Sequence, residues 1–133
     1  MKQSLAGFLV ASALCVATPL ALGAQAIEFA KGATSAQVEG SIQGQKAVDY
    51  TVKGRAGQTM SISLKSDNTS AYFNVTPPGA NAEPIFIGTR VGTEWSGKLP
   101  ADGDYAIHVY LAGYAASKNE SAKYTMTVSA GGG

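Results

Sequence analysis

Apolar and polar residues alternate along four segments of the chain. These segments are 48–52, 59–65, 105–111 and 123–129. A period of two places every second side chain on the same face of a β-strand, so that one face is buried and the other contacts water. Weaker patterns of the same kind predict further short strands at 27–30, 36–43, 71–75, 84–88 and 93–98.

Glycine and proline separate these segments at short intervals, as in Pro77-Pro78-Gly79. Both residue types favour turns, glycine through positive φ angles and proline through its fixed φ. About eight short strands punctuated in this way predict an all-β domain, an antiparallel β-sandwich of jelly-roll-like type. The best helical candidate is a single turn within 112–118, and Gly113 weakens it.

The N-terminal 26 residues have the pattern of a secretory signal peptide. Lys2 provides a short positive start, an apolar run covers 5–22, and Ala24-Gln25-Ala26 is a small-x-small cleavage motif. The alternative is an uncleaved anchor, because the run is nearly long enough to cross a bilayer. We favour cleavage, which leaves no membrane span in the mature chain.

Cleavage divides the chain into a signal peptide (1–26), a β-sandwich domain (27–129) and a flexible tail (130–133). The protein is then expected to be periplasmic or secreted. Cys15 is the only cysteine and lies in the leader. The mature chain therefore has no disulfide, and its stability depends on packing.

The charges of the 133 residues nearly balance, with Lys+Arg 10 against Asp+Glu 9. Loss of Lys2 with the leader makes the balance nine against nine. Such a balance argues against a nucleic-acid partner. The sequence also lacks phosphate-binding, dinucleotide-binding, zinc-protease and CxxC motifs, so we expect no cofactor.

Candidates for catalysis or metal binding are few. His108 is the single histidine, and the alternation points it away from the core. It has no pattern of partners for a catalytic triad or a zinc site. Asp102 and Asp104 could supply oxygens to a calcium loop, but Asp102-Gly103 also suits a tight turn, which we favour. We therefore expect no catalytic residue and no metal site.

The tyrosines divide into two groups by their position in the alternation. Tyr50, Tyr105 and Tyr124 lie at inward positions, where a tyrosine usually packs its ring and keeps its hydroxyl at the rim. Tyr72, Tyr110 and Tyr114 are less easily assigned to the core and are candidates for a binding surface. Trp95 is a further aromatic candidate, although a tryptophan in this position is more often a lid on the core than a platform for a sugar.

Several segments together resemble the periplasmic inhibitors of goose-type lysozyme. They are the opening 27–42, the turn around Arg55-Ala-Gly, the segment 99–109 with its Pro-Ala-Asp-Gly-Asp-Tyr turn, and the closing segment 118–124. The same turns resemble, more loosely, the bacterial pre-peptidase C-terminal domains. The first resemblance implies a compact β-sandwich without catalytic activity.

The resemblance to the inhibitors also implies a mode of action, in which a loop plugs the cleft of a lysozyme or another cell-wall-active enzyme. The corresponding loop here is 110–120. Its candidate partner-binding residues are Tyr110, Tyr114, Ser117, Lys118 and Asn119, and we expect Tyr114 and Lys118 to project together from one end of the sandwich. Gly113 and Ser117 stand where the resemblance implies arginines, which leaves Lys118 as the positive charge.

Three other interpretations remain. The looser resemblance implies a module that binds carbohydrate or peptidoglycan, with Tyr72 and Trp95, and also Tyr114, as stacking platforms. An envelope protein that only assembles with partners fits the sequence equally well. A hydrolase with His108 as base is the least favoured. The oligomeric state stays open.

Overall fold

The alternating segments form strands in the structure, which is a computed structural model that describes residues 23–132. Most of the predicted leader therefore lies outside the described residues. The strands are β1 (Gln25–Ile27), β2 (Ser35–Gln43), β3 (Val48–Gly54), β4 (Thr59–Ser66), β5 (Ala71–Thr76), β6 (Phe86–Ile87), β7 (Glu94–Lys98), β8 (Gly103–Leu111) and β9 (Ser121–Gly131). Two short helices, α1 (Gly88–Val91) and α2 (Gly113–Ser117), complete the described part.

Two sheets make up the sandwich, which confirms the predicted fold class. One sheet has the strand order β1-β3-β8-β5-β6, and the other has the order β2-β9-β4-β7. All neighbouring strands are antiparallel except β1 and β3, which run parallel. The described residues hold nine strands where the pattern predicts about eight. Within residues 23–132, neither helix is long and apolar enough to cross a membrane.

The structure shifts two boundaries relative to the sequence pattern. β1 begins at Gln25, inside the predicted leader, and ends at Ile27, because residues 25–27 pair with 50–52. At the other terminus, β9 includes Ala130 and Gly131, which the sequence assigns to the tail. These two residues pair with the start of β4, and the N–H of Ala130 donates to the carbonyl of Thr34.

The inward-facing side chains fill the space between the sheets. The core includes Met60, Phe73, Tyr105 and Val128, all at or near zero exposure, as the alternation predicts. Burying such side chains is the main stabilising contribution in a chain without disulfides.

Tyr50 of β3 and Tyr124 of β9 join the two sheets through their hydroxyl groups, which lie 2.7 Å apart. Both residues are buried at 3% exposure. Each hydroxyl thus finds its partner in the opposite layer, and that of Tyr124 lies against Gly40 on the edge strand β2. The hydroxyl of Tyr105 donates to the carbonyl of Ala101.

The strand registers place α1 and α2 at the same end of the sandwich, which we call the helical end. The loops at this end are 44–47, 67–70, 88–92 and 112–120. Ala71 at the start of β5 pairs with Leu111, which directly precedes the last of these loops. The turns at 55–58 and 99–102 lie at the opposite end.

Candidate functional site

The predicted plug folds around α2, the short helix that follows β8. Ala115 faces the core at 3% exposure, whereas Tyr114 next to it is 75% exposed. One helical turn between two strands thus anchors a small residue inside and presents a large aromatic ring outside.

Asn119 ends this helical turn. Its φ of 60° is left-handed, its N–H donates to the carbonyl of Ala116, and the N–H of Glu120 donates to the carbonyl of Ala115. This pair of hydrogen bonds is the Schellman arrangement, in which glycine or asparagine usually occupies the left-handed position. The contacts of Asn119 therefore assign it a structural role in the free protein.

Lys118 lies over Tyr114, as expected from their i, i+4 spacing. Its ammonium nitrogen is 5.0 Å from the centroid of the tyrosine ring, which is within the range of a cation–π interaction. Both side chains are exposed at the helical end. The structure thus brings these two predicted residues together and directs them outward, as the sequence led us to expect.

Ser117 and Gly113 occupy the positions where arginines were expected. The hydroxyl of Ser117 donates to the carbonyl oxygens of Gly113 and Tyr114, at 3.3 and 3.1 Å. Ser117 is exposed, so a longer side chain would reach solvent there. Gly113 has a φ of 39°, which disfavours any residue with a Cβ.

Hydrogen bonds connect the loops of the helical end to one another. The N–H of Gly44 donates to the carbonyl of Glu120, and the N–H of Ala112 donates to the carbonyl of Ser70. The side-chain amide of Asn68 donates to the carboxylate of Glu120 at 3.0 Å. The plug is therefore held by its neighbours, which reduces the entropy lost on binding.

Tyr110, also predicted to bind the partner, lies on the outer face of the five-stranded sheet beside the plug. Its hydroxyl donates to the side-chain oxygen of Asn74 at 2.8 Å, and its ring stacks on His108 at 5.5 Å. Tyr72 is its direct cross-strand neighbour. Tyr110 and Tyr72 therefore share one half-buried aromatic surface.

His108 lies on the same outer face, as predicted, and hydrogen-bonds to Asp49 on β3. Their side chains are 48% and 56% exposed. This pair is an open surface contact. The ring of His108 also stacks on Tyr110, and Asn74 is its cross-strand neighbour on β5.

The two proposed glycan platforms do not lie together. Tyr72 is on the outer face of one sheet, whereas Trp95 pairs with buried Ile62 and faces inward in the other. The ring of Trp95 is half-buried against the core, 6.2 Å from that of Phe86. This geometry gives Trp95 the role of a lid on the core, and it forms no joint surface with Tyr72.

Asp102, in the turn before β8, and Asp104, on β8 itself, make separate contacts. Asp102 accepts a hydrogen bond from the N–H of Ala56 at 2.8 Å, and Asp104 pairs with Lys53 at 3.4 Å. Within residues 23–132, no three histidine, cysteine or carboxylate side chains form a group that could hold a metal ion.

Sequence reasoning did not single out Arg90 and Val91, which lie on α1 at the helical end. Val91 is 71% exposed, nearly as much as Tyr114. The sequence does contain a signal for a turn here, because Gly88 and Gly92 flank these two residues. Two glycines so close together favour a turn over a continued strand.

Inhibitors of g-type lysozyme are similar to this chain in sequence and in structure, although no family model matches it. The inhibitor of g-type lysozyme of Escherichia coli (strain K12) is 27% identical over 117 residues, 87% of this chain and 88% of that protein. The structure of PliG from Aeromonas hydrophila, a periplasmic inhibitor of g-type lysozyme, is 38% identical with a TM-score of 0.75, covering 82% of this chain and 96% of its own. PliG from Salmonella Typhimurium is 26% identical with a TM-score of 0.66, covering 82% and 98%.

Proposed function

The chain belongs to the family of periplasmic inhibitors of g-type lysozyme, and from this premise we propose that it inhibits such a lysozyme by placing its helical end in the cleft of the enzyme. Like its relatives, the protein is a periplasmic binding protein and not an enzyme. The proposal concerns the surface and the residues through which it acts.

The exposure of Tyr114 is the observation that supports this mode most directly. Its ring is 75% exposed on a turn that buried Ala115 anchors and a left-handed Asn119 closes. Tyrosine is enriched among residues that dominate binding energy, because its rigid ring buries a large area with little loss of entropy. Tyr114 therefore acts as the hydrophobic anchor of the plug.

Lys118 supplies the charge of the plug. Glycoside hydrolases cleave with a pair of carboxyl groups inside a cleft, and an ammonium group beside them gains electrostatic energy as water is excluded. Lysine is a point charge and does not form the forked hydrogen bonds of arginine. Inhibition by this chain thus depends on Tyr114 and Lys118 in place of arginines at 113 and 117.

A titration of the purified chain against g-, c- and i-type lysozymes tests the proposal. We expect inhibition of the g-type enzyme. Tyr114→Ala should weaken it about 30-fold, equivalent to about 2 kcal/mol. Lys118→Gln should weaken it about fivefold at low salt and less at high salt, because screening reduces its contribution.

Two matched controls lie away from the helical end. Ile85→Ala removes an exposed apolar side chain, and Lys98→Gln removes an exposed lysine on β7. Both should inhibit like the unmodified chain. Full lysozyme activity at a micromolar excess of inhibitor would overturn the proposal, and equal losses in the controls would move the binding surface elsewhere.

A further inference from the structure

Val91 and Tyr114 are the two most exposed large hydrophobic residues in the described part of the chain. Val91 is 71% exposed and Tyr114 is 75% exposed, with Ile85 the third at 41%. Single exposed apolar side chains are common on soluble proteins. Here the two most exposed ones lie at the same end of the sandwich, and each has a cation close by, Arg90 in one case and Lys118 in the other.

The turn that carries Arg90 and Val91 is fixed against β5. The N–H of Gly88 donates to the side-chain oxygen of Asn74 at 3.2 Å, and the N–H of Gly92 closes α1 onto the carbonyl of Gly88 at 2.8 Å. A Cβ at Gly88 would lie 2.6 Å from the carbonyl oxygen of Phe73, so the backbones touch there. Because the turn is held in this way, its backbone loses little conformational entropy when Arg90 and Val91 bind a partner.

Two tyrosines on the outer sheet face lie between α1 and the strand that leads into the plug. Gly88 packs closely against Tyr72. A Cβ added at Gly88 would lie 3.0 Å from the Cβ of Tyr72. Tyr72 pairs with Tyr110, which is one residue from the end of the strand that leads into α2. Arg90 and Val91 therefore lie one strand away from the strand that leads into the plug.

The charges of the helical end favour a partner that carries carboxylates. Its loops contain the cations Lys46, Arg90 and Lys118 and the carboxylates Asp67 and Glu120. Within residues 23–132 the three cations form no ion pair. Both carboxylates already accept hydrogen bonds, Asp67 from the N–H of Lys123 and Glu120 from Asn68. These donors are neutral amides and leave both carboxylates charged, so three cations against two carboxylates give these loops a net charge of +1.

We propose that α1 is a second contact with the same lysozyme. Arg90 pairs with a carboxylate at the rim of the enzyme cleft, and Val91 packs on apolar surface beside it. The guanidinium group suits this role because it can donate two parallel hydrogen bonds to one carboxylate. This inference rests on the proposed function and adds a residue pair that contributes to affinity and specificity.

The inhibition constants of Arg90→Gln and Val91→Thr against the g-type lysozyme test the inference. Val91→Thr keeps the branched shape and replaces a methyl group by a hydroxyl. The matched control is Arg55→Gln, since Arg55 is the other arginine of the chain and lies at the opposite end of the sandwich. We expect Arg90→Gln to weaken inhibition about tenfold, Val91→Thr about threefold, and Arg55→Gln not at all.

Two further measurements are needed. One distinguishes the loss of a contact from misfolding, and the other tests whether α1 and the plug act independently. Each variant should keep the melting temperature of the unmodified chain, because both side chains are exposed. Combining Arg90→Gln with Tyr114→Ala should multiply the two losses, as expected for independent contacts.

The outcomes distinguish this inference from the proposed function. If the unmodified chain inhibits and Tyr114→Ala weakens it, but Arg90→Gln and Val91→Thr act like Arg55→Gln, the role of α1 is refuted and the plug stands. If the unmodified chain leaves the g-type lysozyme active, both proposals fall. An equal loss in Arg55→Gln would also refute a specific contact through Arg90.

Discussion

The hydroxyl pair between Tyr50 and Tyr124 predicts a measurable coupling between the two sheets. Tyrosine to phenylalanine keeps the ring and its packing, so each single substitution removes only the hydrogen bond of 2.7 Å. The hydroxyl left behind is buried without its partner, which costs about 1–3 kcal/mol. For a domain of this size, each kcal/mol lowers the melting temperature by about 4 °C. The double variant leaves no orphan hydroxyl, so it should cost less than the sum of the single variants, by about 1–2 kcal/mol.

The same pair predicts how stability changes in alkali. Burial, together with the hydrogen bond between its hydroxyl and that of Tyr50, raises the pKa of Tyr124 above its ordinary value. The folded chain therefore retains a proton that the unfolded chain releases above about pH 10. The stabilising contribution is complete below pH 10 and is lost as the pH rises above it. Tyr124→Phe should remove this part of the pH dependence.

Urea unfolding followed by circular dichroism, at pH 7 and between pH 10 and 11, measures both effects. Tyr110→Phe is a suitable control, because its hydroxyl is half-buried and bonds within one sheet. Single variants that each cost less than about 0.5 kcal/mol, or costs that simply add in the double variant, would refute the assignment of a buried bond between the sheets.

Two further predictions concern the plug. Ser117→Arg should strengthen inhibition of a g-type lysozyme about tenfold, because the exposed position allows a guanidinium to reach a carboxylate; the inhibition constant measures this, and an unchanged value would contradict it. Asn119→Gly should retain both stability and inhibition, whereas Asn119→Ala should cost about 1 kcal/mol through its left-handed φ of 60°. Thermal unfolding and inhibition assays check this pair, and loss of inhibition in Asn119→Gly alone would show that the amide itself contacts the partner.

The fold class followed from the sequence because the alternation is a local property. Met60 and Ile62 point inward and Ser61 between them points outward in any strand, whichever strands lie beside it. The pattern did not reveal the parallel pairing of β1 with β3 or the extension of β9 to Gly131. Both features depend on which strand lies beside the segment, and the types of the side chains in the segment do not specify that strand.

The candidate site was predicted in part. The position and exposure of Tyr114 and Lys118 followed from the loop after β8 and from the resemblance to lysozyme inhibitors. The structural role of Asn119 did not, because it depends on a left-handed backbone angle. Trp95 packs against the core, which is the more common role of such a residue.

The sequence alone determined that this chain is an all-β domain, since the period of two can be read one residue at a time. Only the tertiary structure decided that α1 and α2 share one end, that Tyr50 meets Tyr124, and that Arg90 and Val91 are exposed. The physical reason is that strand order and register bring together residues far apart in the chain, and no local pattern specifies which strands become neighbours.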